Sequence, residues 1–93
     1  MDIVFEWDEE KNAKNKRKHK VSFEKAEKVF YDPKRFETPD KKRSLFEDRW
    51  ITVGFSGMRL LAVVFAERDD TVRIISARKV DKNEEEEYFY GYS

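Results

Sequence analysis

The sequence predicts a small α+β domain, an antiparallel sheet with short helices before and after it. Three observations carry this. Residues 60–66 are seven consecutive apolar side chains, rich in β-branched and aromatic types. Such a run is too short for a buried helix and fits a strand covered on both faces. The cluster Arg68-Asp69-Asp70-Thr71 then breaks the hydrophobicity as a hairpin loop does, and residues 72–78 return as a second strand. Finally, Asp8, Ser22 and Asp81 each precede a stretch of helical character and are suited to cap it.

The elements follow in chain order. Residues 2–7 read as a short strand, with Ile3, Val4 and Phe5 flanked by acids. Asp8 caps a helix over roughly residues 9–18, and Glu9 and Glu10 complement the positive end of its dipole. Only Ala13 is apolar there, so this helix is held by its ends and polar contacts or kept for a functional face. Asn12, Asn15 and His19 share one side of it. Ser22 caps a second helix, Val21 and Ala26 are placed as a hydrophobic staple, and Phe23, Ala26, Val29 and Phe30 make its apolar stripe. Asp32-Pro33 ends it. Residues 35–45 are polar, include Pro39, and read as a mobile surface loop with a short strand at Phe36. In the strand over residues 49–55, Ile51, Val53 and Phe55 lie on one face, Trp50 and Thr52 on the other. Ser56-Gly57 turns into the hairpin, and strands 49–55, 60–66 and 72–78 are expected to pair in sequence order. Asp81 with Glu84 is a capping-box pattern for a last helix. That helix ends in Tyr88-Phe89-Tyr90-Gly91-Tyr92, aromatics either packed on the sheet or exposed to a partner.

Strand alternation sorts the hairpin's side chains. With a two-residue Asp69-Asp70 turn, Arg68 opposes Thr71, Glu67 opposes Val72, Val63 opposes Ser76 and Leu61 opposes Arg78. Arg59, Leu61, Val63, Phe65, Val72, Ile74, Ser76 and Arg78 then share one face, and Arg73, Ile75 and Ala77 the other. Arg59, Ser76 and Arg78 would cluster at the end away from the turn. Arginine forks bind phosphate in pairs of hydrogen bonds and stay charged, so this cluster could clamp a phosphate, with Ser76 orienting an oxygen. The plainer reading is surface solvation for the arginines and a strand filler at Ser76.

Composition narrows the function classes. The chain's 93 residues suffice for one domain with one core. At 39% hydrophobic and 15% aromatic it carries too much apolar material for disorder. The absence of cysteine excludes disulfides and thiolate metal sites and suits a reducing cytoplasm. No signal peptide or membrane-length apolar run is present. Twenty basic and twenty acidic residues cancel, but unevenly: residues 11–20 hold six Lys or Arg plus His19, while residues 84–87 are all Glu. His19 is the only histidine; a lone histidine is more often structural than catalytic, though its charge is adjustable near neutral pH and it could serve as a general acid or a phosphate contact. One histidine gives no zinc ligand set, and no Gly-rich phosphate loop or nucleophile triad occurs. No metal or cofactor is expected.

Several short motifs occur together in order: Phe5-Glu6-Trp7-Asp8, Lys11-Asn12, Asn15, Lys18-His19, Val21-Ser22-Phe23, Asp32-Pro33, Arg49, and Arg73 through Arg78. Across nearly the whole chain, taken as a single domain of residues 1–93, this pattern resembles the BrnT family of ribonuclease toxins of bacterial type II toxin–antitoxin pairs. The resemblance implies a RelE-like α+β fold, two N-terminal helices on an antiparallel sheet with a helix at the C-terminus. It implies a cytoplasmic endoribonuclease that cleaves RNA without metal, inhibits translation and growth, and is neutralised by a BrnA-like ribbon-helix-helix antitoxin. Operator DNA would be reached only through that antitoxin. Carried onto this chain, the site is His19, Glu47, Arg59, Ser76 and Arg78, with His19 or Glu47 moving protons. Two departures stand out. Lys20 follows the histidine where the family usually has glycine, and the last helix, commonly basic, carries Glu84 to Glu87. The rival expectation is a weakly catalytic partner-binding module that acts with the antitoxin in operon autorepression, favoured by the zero net charge and the acidic last helix.

Overall fold

The computed structural model describes residues 2–42 and 47–91. Residues 43–46 of the polar loop and Tyr92 of the aromatic tail lie outside them. The elements run β1 (Val4–Glu6), α1 (Glu9–His19), α2 (Phe23–Glu27) continued by a 3-10 turn (Lys28–Tyr31), β2 (Phe36–Pro39), β3 (Trp50–Ser56), β4 (Arg59–Arg68), β5 (Thr71–Lys79) and α3 (Lys82–Tyr90). The five strands form one sheet in the order β1-β5-β4-β3-β2. The central meander pairs in sequence order, as the alternation predicts. The sheet is mixed rather than wholly antiparallel, because β1 runs parallel to β5. Among the described residues no helix is long and apolar enough to cross a membrane.

One face of the sheet carries α1, α2 and the 3-10 turn. Val21, Phe23, Ala26, Val29 and Phe30 pack there on Leu61, Val63, Phe65, Val72, Ile74 and Ala77. Burying a side chain the size of Phe23 or Leu61 contributes roughly 1.5–3 kcal/mol, so this layer dominates the fold's stability. Gly54 lets the chain after the 3-10 turn approach: a Cβ there would sit 3.0 Å from Arg35 Cβ and 3.1 Å from an Asp32 carboxylate oxygen.

Helix α1 docks by polar contacts instead of an apolar stripe; its buried residues are Asn12 and Asn15. The Asn15 amide donates to the carbonyls of Val21 (2.9 Å) and Ala77 (2.8 Å) and accepts from Ala77 N–H (3.1 Å). β1 covers β5 only as far as Arg73, so Asn15 supplies Ala77 with the hydrogen bonds a neighbouring strand would give. Leaving those buried groups unpaired would cost about 1–3 kcal/mol each. Asn12 accepts from Phe23 N–H (2.8 Å) and donates to Glu24 (3.0 Å), tying α1 to the start of α2. The bond from the Asn12 amide, with a backbone hydrogen bond within Glu24, holds the Glu24 carboxyl below its ordinary pKa. Lys20 takes the left-handed cap position (φ 61°, ψ 30°) that glycine would fill without strain.

The hairpin departs from simple alternation. Asp69 and Asp70 both have positive φ, as a two-residue turn of the type I′ kind requires, and the pairs Arg68–Thr71 and Glu67–Val72 stand as expected. Beyond them a bulge intervenes: Phe65 opposes Ile74, but Val64 opposes Ser76, so Ile75 is an extra residue on β5. Val63 therefore opposes Ala77, not Ser76, and Leu61 opposes Lys79, not Arg78. One extra residue inverts every face that follows. Ala77 joins the core, and Ser76 and Arg78 turn to the opposite, open face.

Candidate active site

The open face carries a cleft of about 580 Å³. Ile51, Val64 and Ser76 form its floor; they lie side by side because Ile51 pairs with Val64 and Val64 with Ser76. Thr38 to Lys42 and Arg49 bound one side, Arg78 with Asp81 and Glu84 the other. Asp40 N–H donates to the Arg49 carbonyl at 2.9 Å, extending the β2–β3 ladder to the cleft's rim.

Arg78 already holds an oxyanion. Its two terminal nitrogens donate to the two carboxylate oxygens of Glu84 at 2.8 and 2.9 Å, which raises the guanidinium pKa. The same carboxylate accepts from Asp81 N–H (2.9 Å), while Asp81 accepts from Glu84 N–H (2.8 Å), so the expected capping box is present. α3 is thereby hinged onto the open face. Its far end is fixed by Tyr88, whose hydroxyl donates to Asp32 at 2.6 Å, and by edge-on contacts of Tyr88 and Phe89 with Phe55. Burial, the Asp32 bond and the Asp32 charge push the Tyr88 pKa up to about 12. Burial also pushes the Asp32 carboxyl upward, but hydrogen bonds from Phe55 N–H, the Tyr88 hydroxyl and Lys34 N–H outweigh it and hold it below its ordinary value. Of the aromatic tail, Tyr88 is packed, while Phe89 (56% exposed) and Tyr90 (85%) stay largely in solvent.

Glu47 lies beside this cleft, ion-paired with Arg73 and 3.9 Å from Arg49 Nε. It also lines an adjoining groove with Glu37, Asp48, Trp50, Glu67 and Arg68.

Arg59 and His19 do not join this group. Arg59 keeps the parity of Leu61 and Val63, and its guanidinium donates to the Lys20 carbonyl at 3.1 Å, on the helix-bearing face. The expectation that Arg59, Ser76 and Arg78 share one face is thus corrected, and the Ile75 bulge is the reason. Arg59 instead meets Lys25 and Lys28 in a small basic groove, beside the α1 end where His19 is half-buried. It also reaches the sheet's end, where it lines a second groove with Leu60, Lys79 and Phe89. The candidates therefore fall into three places: Ser76 and Arg78 in the open-face cleft, Glu47 beside it toward the Asp69-Asp70 turn with Arg73, Glu67 and Arg68, and His19 with Arg59 on the helix-bearing face at the sheet's other end.

Sequence reasoning assigned no site role to Arg49, Arg73, Lys41 or Lys42. The usable signal was parity: Arg49 alternates with Ile51 and Val53, which marks it for that strand face. Among the described residues no group of three or more His, Cys, Asp or Glu side chains is arranged to hold a metal ion.

Residues 7–84 match the family model described as "Ribonuclease toxin, BrnT, of type II toxin-antitoxin system". No curated protein matches the chain.

Proposed function

Since the chain belongs to the BrnT family of ribonuclease toxins of type II toxin–antitoxin systems, we propose that it is a metal-independent endoribonuclease of RelE-like fold, working in the cytoplasm with the open-face cleft as its chemical centre. The observation that carries this reading is the Arg78 fork, which faces the cleft and already grips a carboxylate through two hydrogen bonds. A fork that holds one oxyanion side-on fits the non-bridging oxygens of a phosphodiester in the same way.

In this mechanism the ribose 2′-hydroxyl attacks the adjacent phosphorus and the bond to the 5′ oxygen breaks. The products end in a 2′,3′-cyclic phosphate and a 5′-hydroxyl. Arg78 stabilises the charge that grows on the phosphoryl oxygens, and the Ser76 hydroxyl donates to one of them. Glu47, on the same face, takes the hydroxyl proton, and the leaving 5′ oxygen takes its proton from solvent water in the open cleft. His19 and Arg59, with Lys25 and Lys28, hold the flanking RNA backbone where it passes the sheet's end. DNA, lacking the attacking hydroxyl, is not cut.

A second reading has a specific observation behind it. Glu84 occupies the fork, so the resting chain presents a closed Arg78 and acts chiefly as a partner-binding module in operon autorepression. Both readings include a BrnA-like ribbon-helix-helix antitoxin that carries the operator contact. They also agree on the surface it covers, the exposed Met58, Phe89 and Tyr90. Truncation after Glu87 should weaken that complex and leave the sheet folded.

Incubation of the purified chain with RNA in excess chelator separates the two. Cleavage to cyclic-phosphate ends, absent when deoxyribose replaces the scissile ribose, supports the enzyme. Intact RNA together with full antitoxin binding supports the module.

A further inference from the structure

Arg49 is held at some cost for which the protein gives no return. Its Nε–H is buried and makes no hydrogen bond. The nearest carboxylate oxygen, on Glu47, is 3.9 Å away, outside hydrogen-bond range. That oxygen is already engaged by Arg73. Of the three arginines around the cleft, Arg78 is closed on Glu84 and Arg73 on Glu47, while Arg49 donates no hydrogen bond among the described residues. A buried donor without an acceptor costs about 1–3 kcal/mol, and such groups ask for an explanation.

The side chain lines the cleft with Ser76, Arg78, Lys41 and Lys42 and is 28% exposed although its Nε is buried, so a ligand reaches it at the terminal nitrogens. We propose that Arg49 is a substrate-binding catalytic residue, which meets the scissile phosphate first through its terminal N–H groups and brings the buried Nε–H onto it as the side chain turns into the cleft, before Arg78 is released from Glu84. This deepens the ribonuclease reading and rests on it for the identity of the ligand, an RNA phosphodiester. The order follows from occupancy: Arg49 is open in the resting chain and Arg78 is not. A phosphate seated on Arg49 lies in the cleft that Glu84 also lines, where it competes with that carboxylate for Arg78.

A structural arginine and a phosphate ligand differ in what their loss does to stability. Arg49→Gln removes an unpaired buried donor, so the melting temperature should hold or rise, while single-turnover cleavage should fall on the order of 100-fold to 1,000-fold, as when other oxyanion donors are removed. Arg49→Lys keeps the charge but lacks the fork and should not rescue the rate. A lowered melting temperature with cleavage within threefold of the parent in both variants would overturn the assignment.

Binding to a labelled 2′-O-methyl RNA, which cannot be cut, gives the arm that does not depend on chemistry. Loss of one phosphate contact should lower the slope of log affinity against log salt by about 0.7. If the parent cleaves no RNA, the ribonuclease reading falls, and Arg49 is judged by this slope alone. An unchanged slope and affinity would then overturn its role.

Discussion

Replacing Glu84 with glutamine should make the protein a faster ribonuclease. The carboxylate closes the Arg78 fork with bonds of 2.8 and 2.9 Å, and the two side chains are 16% and 32% exposed. A hydrogen bond to a charged group contributes about 1.5–3 kcal/mol when shielded, and an exposed ion pair about 0–1 kcal/mol. With this much solvent access the closure is worth roughly 1–2 kcal/mol, between those limits. An RNA phosphate must overcome that before it can use the fork, which corresponds to roughly a 5- to 30-fold loss of apparent affinity. Glutamine removes the charge but can still accept from Asp81 N–H, so the capping box and α3 persist. The assay is kcat/KM on a short RNA beside circular dichroism of the helix. A rise of about 5- to 30-fold with unchanged helicity is expected, shrinking at high salt as the ion pair is screened. An unchanged or lower rate with α3 intact would refute the reasoning, because Arg78 would then not lie on the substrate's path.

Further outcomes follow from the same contacts. Lys20→Gly relieves a left-handed backbone position (φ 61°) and should stabilise by about 1 kcal/mol, raising the melting temperature by about 4–8 °C; no rise would mean that the cap is unstrained. The Asp32 carboxyl is depressed in the folded chain, so its contribution is present above the ordinary value of about 4 and lost as pH falls through the lower folded value. Tyr88 is shifted the other way, to about 12, so its contribution holds below about pH 10 and is lost between there and about 12. Hydrogen exchange of α3 should therefore accelerate at both extremes, and Tyr88→Phe should remove the alkaline dependence and weaken the acid one, which the Phe55 and Lys34 N–H bonds to Asp32 still support, while leaving the sheet protected.

Much of the fold was legible because it rests on local chemistry. The caps at Asp8, Ser22 and Asp81, the Val21–Ala26 staple and the three-strand meander all follow from neighbours in sequence. The parallel pairing of β1 with β5 was not legible, since it joins Val4 to Thr71 across the whole chain and depends on the helices between them. Simple alternation fails at one residue, and with it the strand faces that follow. Ile74-Ile75 breaks the alternation of apolar and polar side chains, and that doublet is the trace the bulge leaves in sequence. Without it, strict alternation places Ser76 and Arg78 on the face of Leu61 and Val63, with Arg59 beside them. Once Ile75 is counted as extra, Ser76 and Arg78 fall in line with Ile51 and Arg49. The missing apolar stripe of α1 leaves polar docking as one of two choices, because nothing local in the sequence shows that Ala77 lacks a strand partner for Asn15 to replace.

The central claim is that phosphoryl chemistry occurs on the open face, at Arg78. Single-turnover cleavage of a model RNA by Arg78→Lys tests it most directly, with Lys14→Ala, on the exposed side of α1, as the comparison. The lysine keeps the charge and loses the planar fork, so the cleavage rate should fall on the order of 100-fold to 1,000-fold with RNA affinity little changed. Lys14→Ala should weaken binding and lower its salt dependence while leaving the cleavage step intact. An Arg78→Lys enzyme that cleaves at the parent rate would contradict the claim and leave Arg78 as nothing more than the anchor of α3.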